Sequence, residues 1–243
     1  MWHCNLVEEL RCITCYDRAF FTKFIRLTSR DSLSRFIRTE RQCGVLVLID
    51  LAIIKKIADP EANPRIPASC RQAAVAMVLS PFEASLQLLF ILRARQEGDP
   101  WSGQMALPGG HRDEGDASLA ATAARETLEE TGLDLATHAD FIGSLNGIRA
   151  NPRSGIDLMV VPQVFVLHQE PLNMKPNYEV QKLLWGNVEA MYAGTTRTEA
   201  SFPEFNRSGT FPGFQVEDQV VWGLTFRMLT SLFDDVRRLN QRR

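Results

Sequence analysis

The chain lacks a hydrophobic run long enough to cross a membrane. Its longest apolar run, Gly44–Ile54, is interrupted by Asp50, whereas a membrane-spanning helix needs roughly 20 apolar residues. Glu8 and Glu9 occupy the region where a signal peptide carries positive charge, and they also weigh against a transit peptide. We therefore expect a soluble, cytoplasmic protein with no membrane partner.

An excess of charge of either sign is also missing. The 243 residues include 27 Lys and Arg against 29 Asp and Glu, which gives a formal net charge of −2. Because domains that bind nucleic acid polymers are usually strongly basic, the composition argues against such a partner. A chain of this length can bury a hydrophobic core without disulfides or structural metal ions.

Cysteine is scarce and confined to the first third of the chain. The five cysteines are Cys4, Cys12, Cys15, Cys43 and Cys70. An odd number in this arrangement is not the disulfide framework of a secreted domain. Cys12 and Cys15 form a C-x-x-C pair, but no second pair at comparable spacing accompanies it, as a zinc site would require. Free thiols are the favoured interpretation, and a zinc-dependent interaction role for the N-terminal segment is the alternative.

Three closely spaced prolines, Pro60, Pro64 and Pro67, predict a domain boundary near residue 68. We expect an N-terminal extension of unknown structure over residues 1–67, in which Gly44–Ile54 is either a strand or a buried helix. The folded domain would cover residues 68–243.

Hydrophobic patterns in this domain alternate between strand and helix. Strands are predicted at Ala73–Leu79, Leu86–Leu92, Gln104–Leu107, Phe141–Leu145 and Val160–Leu167. Helices are predicted at Ala117–Thr131, with Asp116 as N-cap, at Val188–Tyr192 and at Trp222–Leu239. A hairpin is expected within Thr198–Phe214, around Gly209 or Gly213. Strands interrupted by one helix and closed by another predict an α/β sandwich.

The helix predicted at Ala117–Thr131 concentrates negative charge. Glu126, Glu129 and Glu130 are spaced i, i+3 and i+4, so their side chains share one face. Mg²⁺ or Mn²⁺ would offset their mutual repulsion, because both ions prefer carboxylate oxygens. A solvated acidic face is the alternative. Arg125, which can reach Glu129, and the glycine pair upstream favour a metal site.

These residues carry a resemblance to a known family. Arg125–Gly132 reads R-E-T-L-E-E-T-G, and Pro108–Gly110 precedes it; together they resemble the Nudix box, the R-E-x-x-E-E-x-G signature of Nudix hydrolases. The resemblance is dense over residues 100–133 and implies a Nudix-type α/β/α sandwich with a mixed β-sheet. It also implies hydrolysis of a diphosphate linkage with Mg²⁺ or Mn²⁺ as cofactor.

The resemblance further implies roles for the matching residues. The metal ligands would be three acids of the helix and one backbone carbonyl: Glu126, Glu129, Glu130 and Gly110. The same acids would be catalytic, and Arg125 would hold Glu129 in place. The base would be one of these acids or an acid of a downstream loop, for which Glu179 is a candidate.

The spacing around the box resembles one branch of the family. The usual box has Glu six residues after the second glycine and then seven residues before the arginine, whereas here Asp116 takes that position and eight residues follow it. The same spacing, with Asp, occurs in the coenzyme A pyrophosphatase branch. Residues 102–110 resemble that branch's G-Q-x-x-F-P-G-G, with Leu107 in place of Phe. The branch's upstream signature has Arg-Ser with a further Arg shortly after, whereas here Arg93-Ala94 is followed by Arg95, so the match to the branch is partial.

The resemblance therefore implies coenzyme A or an acyl-coenzyme A as substrate, cleaved to phosphopantetheine and adenosine 3′,5′-bisphosphate. The alternatives are ADP-ribose, a nucleotide sugar or an (oxidised) nucleoside triphosphate, or a module that senses a nucleotide without hydrolysing it. Arginines that could contact the diphosphate are Arg93, Arg95, Arg112 and Arg149. Trp101 and Tyr178 could stack on a base. A homodimer is compatible with the sequence, which leaves the oligomeric state open.

Overall fold

The computed structural model describes residues 49–61, 66, 70–97, 101–150, 157–170, 173–203 and 208–242. The helices in these ranges are α1 (Leu51–Ile57), α2 (Leu119–Thr131), α3 (Leu135–His138), α4 (Val188–Ala193) and α5 (Gly223–Gln241). The strands are β1 (Arg71–Ser80), β2 (Gln87–Arg93), β3 (Met105–Ala106), β4 (Gly109–His111), β5 (Ala139–Ser144), β6 (Ile148–Arg149), β7 (Leu158–Leu167), β8 (Val180–Asn187), β9 (Arg197–Ser201), β10 (Thr210–Val216) and β11 (Gln219–Val221). The C-x-x-C pair and most of the predicted extension lie outside the described residues.

Eight of these strands form one mixed sheet around a parallel pair. β1 and β7 pair in parallel from Arg71↔Leu158 to Leu79↔Val166, and the other pairings in this sheet are antiparallel. The order is β3–β2–β1–β7–β5, with β4 beside β1, β6 beside β7 and β8 beside β2. β1 and β7 are buried along most of their length, which is why both sequences are nearly continuous apolar runs.

A gap between β1 and β2 positions the glycine pair. The two strands pair only where Leu79 and Ser80 meet the start of β2. Farther along, β3 pairs with the end of β2 and β4 pairs with the first half of β1. Residues 105–111 therefore pass from one strand to the other, with Gly109 and Gly110 on the β1 side.

Small side chains allow α2 to pack closely on the sheet. Ala123 of α2 is fully buried in a cluster with Ala74, Ala76 and Leu89 of β1 and β2. The buried Thr127 hydroxyl donates to the carbonyl of Ala123 at 2.7 Å, so this polar group is satisfied inside the core. Close packing of helix and sheet brings the carboxylates of α2 near β4. The predicted α/β/α sandwich with a mixed sheet is confirmed.

A second, three-stranded antiparallel sheet is formed by β9, β10 and β11. It contacts the main sheet through β10 with β8 and β11 with β3, and α5 packs on β10. The hairpin predicted within Thr198–Phe214 is β9–β10. Gly209 directly precedes β10, whereas Gly213 lies inside that strand.

The start of α2 differs from the prediction. Ser118, not Asp116, is the N-cap, and its Oγ accepts a hydrogen bond from the N–H of Ala121 at 3.1 Å. The carboxylate of Asp116 is instead bound by a side chain farther along α2, described below. The predicted stop is correct: Gly132 adopts a left-handed conformation with φ of +71°.

Residues before the predicted boundary also pack on this domain. In α1, Ile53 and Ile54 are buried, and the helix contacts α5. Asp59 forms two backbone hydrogen bonds with Ser144 of β5, at 3.1 and 2.8 Å. A Cβ on Gly143 would lie 2.6 Å from the Asp59 carbonyl carbon, so glycine permits this contact. The second half of the Gly44–Ile54 run is thus the start of a helix, and the boundary near residue 68 stays a prediction.

No helix among the described residues is long and apolar enough to span a bilayer. Cys70 is a free, buried thiol, as predicted for the cysteines in general, and the other four lie outside the described ranges.

Candidate active site

Glu130 is the acid of α2 that lies inside the protein. Its side chain is 3% exposed, and its Oε2 accepts a hydrogen bond from the backbone N–H of Gly109 at 2.8 Å. Arg93 Nη1 lies 4.0 Å from Oε1. Burial raises the pKa of Glu130 to about 7, although the Gly109 N–H and Arg93 favour the charged form. These contacts fix one carboxylate oxygen beside β4.

The glycine pair is required by close contacts on both of its residues. Gly109 has a φ of +149°, and a Cβ there would lie 2.3 Å from the carbonyl oxygen of Ala74. A Cβ on Gly110 would lie 2.5 Å from the carboxylate of Glu126. Only glycine allows β1 and α2 to approach β4 this closely. The Glu126 carboxylate consequently lies against the Gly110 backbone, the predicted carbonyl ligand.

Arg125 binds the carboxylates that surround it. Its Nε and Nη2 each donate to one oxygen of Asp116 at 3.1 Å, a bidentate geometry that fixes the guanidinium plane. Its Nη1 lies 2.9 Å from Glu126 and 3.4 Å from Glu129. The predicted contact between Arg125 and Glu129 is therefore present, and the same nitrogen also reaches Glu126.

Sequence reasoning missed this role of Asp116. Its side chain is 8% exposed, and its Oδ2 also accepts a hydrogen bond from the N–H of Asp113 at 3.0 Å. Hydrogen bonds from Arg125 hold the pKa of Asp116 well below its ordinary value, and Asp116 raises the pKa of Arg125. The two residues lie across a loop–helix junction, where spacing predicts no contact. Their opposite charge was the only available signal.

The donor set fits an open site for a divalent ion. Glu130 is fixed and buried, Glu126 lies against Gly110 with its pKa raised by burial, and Glu129 is 54% exposed. Across the described ranges, no group of three or more His, Cys, Asp or Glu side chains is arranged so that it could hold a metal ion by itself. Mg²⁺ does not require such a group, because it usually binds one or two carboxylates together with waters and substrate phosphates.

A downstream segment closes on the C-terminal end of α2. The N–H of Asn177 donates to the carbonyl of Glu130 at 3.1 Å, and the N–H of Ala94 donates to the carbonyl of Glu179 at 2.7 Å. Glu179 therefore lies beside the strand end that carries Arg93. Its charge contributes to the raised pKa of Glu130, which places the candidate downstream acid close to the site.

The four candidate arginines have different surroundings. Arg93, at the end of β2, is the one with a described ion pair to an acid of α2, and Arg95 is exposed two residues beyond it. Arg112 follows β4 and donates to a carbonyl of the loop before α2 at 3.2 Å. Arg149 is paired with Asp157 through contacts of 2.6 and 2.7 Å. Their contacts to a substrate stay predictions.

A family model supports the assignment suggested by the box. The model for the NUDIX domain matches residues 71–204, more than half of the chain. This range contains the glycine pair, the acids of α2, Arg93 and Glu179.

Individual proteins match the chain at low to moderate sequence identity. It is 34% identical over 145 residues to an uncharacterized protein of Schizosaccharomyces pombe, in an alignment that covers 52% of this chain and 44% of that protein. It is 29% identical over 168 residues to the Homo sapiens mitochondrial coenzyme A diphosphatase NUDT8, covering 68% and 69%. A solved structure of a MutT/nudix family protein from Enterococcus faecalis has a TM-score of 0.48 at 16% identity, covering 92% and 76%. The chain thus spans less than half the length of the yeast relative.

Proposed function

Because the chain belongs to the Nudix family, we propose that it hydrolyses a diphosphate linkage in a nucleotide derivative. Mg²⁺ or Mn²⁺ would be held by Glu126, Glu129 and Glu130. The observation that carries this proposal is the fixed position of the acids against the glycine pair: Glu130 is bonded to the Gly109 N–H, and Glu126 fills the space beside Gly110. Carboxylates held in fixed positions suit a divalent cation, which would offset the negative charge of the diphosphate.

The chemistry requires a water molecule and a proton acceptor. The water oxygen forms a bond to one phosphorus, the bond from that phosphorus to the bridging oxygen breaks, and the bridging oxygen leaves on the other phosphate. A carboxylate of the site, in α2 or at Glu179, takes up the proton that the water releases. A bound divalent ion would lower the pKa of the water and offset the charge of the phosphates. Arg125 keeps Glu126 and Glu129 oriented, and Arg93, with Nη1 4.0 Å from Glu130, would contact the diphosphate.

For the substrate, we propose coenzyme A or an acyl-coenzyme A, cleaved to adenosine 3′,5′-bisphosphate and to phosphopantetheine or the corresponding acyl-phosphopantetheine. Two observations support this choice. Asp116, with its eight-residue spacing to Arg125, resembles the coenzyme A pyrophosphatase branch, and Asp116 binds Arg125 in the structure. A human relative carries the name coenzyme A diphosphatase. The alternatives are ADP-ribose, a nucleotide sugar and an (oxidised) nucleoside triphosphate.

A substrate panel tests the proposal. The full chain is incubated with coenzyme A, acetyl-coenzyme A, ADP-ribose, a nucleotide sugar and normal and oxidised deoxynucleoside triphosphates, and the products are separated by chromatography. Release of adenosine 3′,5′-bisphosphate from coenzyme A is the expected result. Turnover of another substrate with no cleavage of coenzyme A would contradict the proposed substrate but would agree with the proposed reaction class. Glu130→Gln should abolish turnover, whereas Glu114→Gln, at an exposed acid of the preceding loop, should not.

A nucleotide-sensing module is the second candidate. It would bind members of the same panel without cleaving any of them in the presence of Mg²⁺ or Mn²⁺. The intact set of Glu126, Glu129 and Glu130 favours the enzyme, because a sensor needs no metal-binding acids for catalysis.

Two properties of the whole protein stay predictions from the sequence. A homodimer is tested by sedimentation of the purified chain. A cytoplasmic location is tested by imaging the tagged full chain, and the name of the human relative, which places that protein in mitochondria, makes an organelle the specific alternative.

A further inference from the structure

Tyr178 has the highest exposure among the large apolar side chains that the structure describes. It is 82% exposed, whereas Trp101, for example, is 41% exposed. Many of the other aromatic rings pack on each other, as Phe202 does on Trp222 with ring centroids 4.0 Å apart. Single exposed rings are common on protein surfaces, so what distinguishes Tyr178 is its position relative to the acids of α2.

The backbone around Tyr178 is held firmly although its ring is exposed. The N–H of Glu179 donates to Asn177 Oδ1 at 2.8 Å, and the N–H of Val180 donates to the carbonyl of Asn177 at 3.3 Å. Asn177 is itself bonded to the carbonyl of Glu130. A hydrogen bond to the Glu179 side chain raises the pKa of the Tyr178 hydroxyl. A ligand that binds such a ring loses little affinity to the ordering of the protein.

Tyr178 also lies at a suitable distance from the acids of α2. Through the hydrogen bond between Asn177 and Glu130, backbone geometry limits the Cα atoms of Tyr178 and Glu130 to a separation of roughly 11 Å. A nucleotide that places its diphosphate at Glu130 can therefore reach Tyr178 with its base. Arg93 links the two segments, because it pairs with Val180 across the strands and its Nη1 lies 4.0 Å from Glu130 Oε1.

We propose that the nucleobase of the substrate stacks on the ring of Tyr178 while the diphosphate lies at the acids of α2. This assignment rests on the function proposed above. It adds that the protein recognises the base of its substrate. A base offers a flat π face to the ring, and such stacking depends little on which base is present. Tyr178 then selects for a nucleotide and not for the group at the other end of the diphosphate.

Steady-state kinetics of ring variants test this role. On the best substrate of the panel, Tyr178→Ala should raise KM about tenfold or more and leave kcat within about twofold, because the ring contacts the base and not the reacting phosphorus. Tyr178→Phe should retain the wild-type KM, because it keeps the ring. Phe82→Ala, at an exposed ring between β1 and β2, is the matched control and should change neither constant. An unchanged KM in Tyr178→Ala would overturn the proposal.

Equilibrium binding gives a second readout that needs no turnover. Calorimetry compares AMP with ribose 5-phosphate, which has the same phosphate and sugar but no base. The wild-type chain should bind AMP about tenfold or more tightly than ribose 5-phosphate, and Tyr178→Ala should lose this preference. Equal affinities in the wild-type chain would refute stacking. A preference for AMP without cleavage of any panel member would refute the proposed hydrolysis and leave the base site in place.

Discussion

The Glu126 carboxylate lies where a side chain on Gly110 would begin. An added Cβ at position 110 would be 2.5 Å from that carboxylate, so Gly110→Ala must displace Glu126. Because displacements of about 1 Å can cost two orders of magnitude in rate, we expect kcat to fall about tenfold or more. The melting temperature should change little, since a flexible side chain and not backbone has to move.

Gly115→Ala is the matched control for this variant. Position 115 lies in the loop before α2, and a Cβ there would meet nothing within 4 Å. Its kcat should equal that of the wild-type chain. Full activity of Gly110→Ala under the same assay would show that the position of Glu126 against Gly110 does not matter for the reaction.

Asp116 stays charged in the folded protein at pH values where it is protonated in the unfolded chain. Arg125 causes this by lowering the pKa of Asp116. A pKa lowered by folding stabilises the protein above the unfolded pKa of about 4, and this contribution is lost as the pH falls through the folded pKa. Asp116→Asn should therefore lower the free energy of unfolding by about 2 kcal/mol at neutral pH, and by less below about pH 4.

Urea unfolding at neutral pH and at about pH 3 measures this difference. Asp113→Asn is the control, because Asp113 is 71% exposed and lies 3.7 Å from Arg125, so its loss should matter less. A stability difference between Asp116→Asn and the wild-type chain that is the same at both pH values would contradict the ion pair as its source.

Among the elements, α1 packs on the folded domain although it lies before the residues that the NUDIX model matches. The NUDIX match begins at residue 71, yet α1 contacts α5 and buries Ile54 completely. Removing most of a buried isoleucine side chain leaves a cavity, so Ile54→Ala should lower the free energy of unfolding by about 2–5 kcal/mol. Lys56→Ala, at an exposed position of the same helix, should change it by less than about 0.5 kcal/mol.

Chemical denaturation of the full chain measures both variants. Near-equal stability of Ile54→Ala and the wild-type chain would mean that α1 is not part of the folded domain. That result would support the predicted boundary near residue 68, whereas a large loss would move the boundary to the N-terminal side of α1.

The secondary structure itself was largely predictable from local pattern. The runs at Ala73–Leu79 and Val160–Leu167 correspond to β1 and β7, and Trp222–Leu239 corresponds to α5, because long apolar or amphipathic runs depend mainly on side-chain periodicity. The predicted start of α2 was two residues too early, because two N-cap candidates, Asp116 and Ser118, lie close together there. A tertiary contact of Asp116 with Arg125 decided between them.

For the whole molecule, a bound divalent ion should stabilise the folded state. The ion binds the assembled acids and not the unfolded chain, so an ion concentration of ten times its Kd should add about 1.4 kcal/mol. Calorimetric melting in MgCl₂ should show this gain relative to NaCl of equal ionic strength. A chelator should abolish turnover, and Mg²⁺ or Mn²⁺ should restore it.

The combined variant Glu126→Gln, Glu129→Gln should lose the Mg²⁺-dependent gain in melting temperature. Glu114→Gln, at an exposed acid of the same region, should keep the gain. A gain that persists in the combined variant would place the ion elsewhere in the chain.

Local spacing was enough to predict the helix with its three acids, the glycine pair and the arginine beside them. These features follow from spacing within one short segment, where helical periodicity alone brings the side chains together. Only the folded chain shows that Glu130 is buried against Gly109, that Asp116 holds Arg125, and that Tyr178 lies near the acids. The Asp116–Arg125 contact crosses the loop–helix junction, where spacing predicts none. The other two contacts depend on the pairing of β4 with β1 and of β8 with β2, and the pairing of distant strands leaves no mark on local spacing.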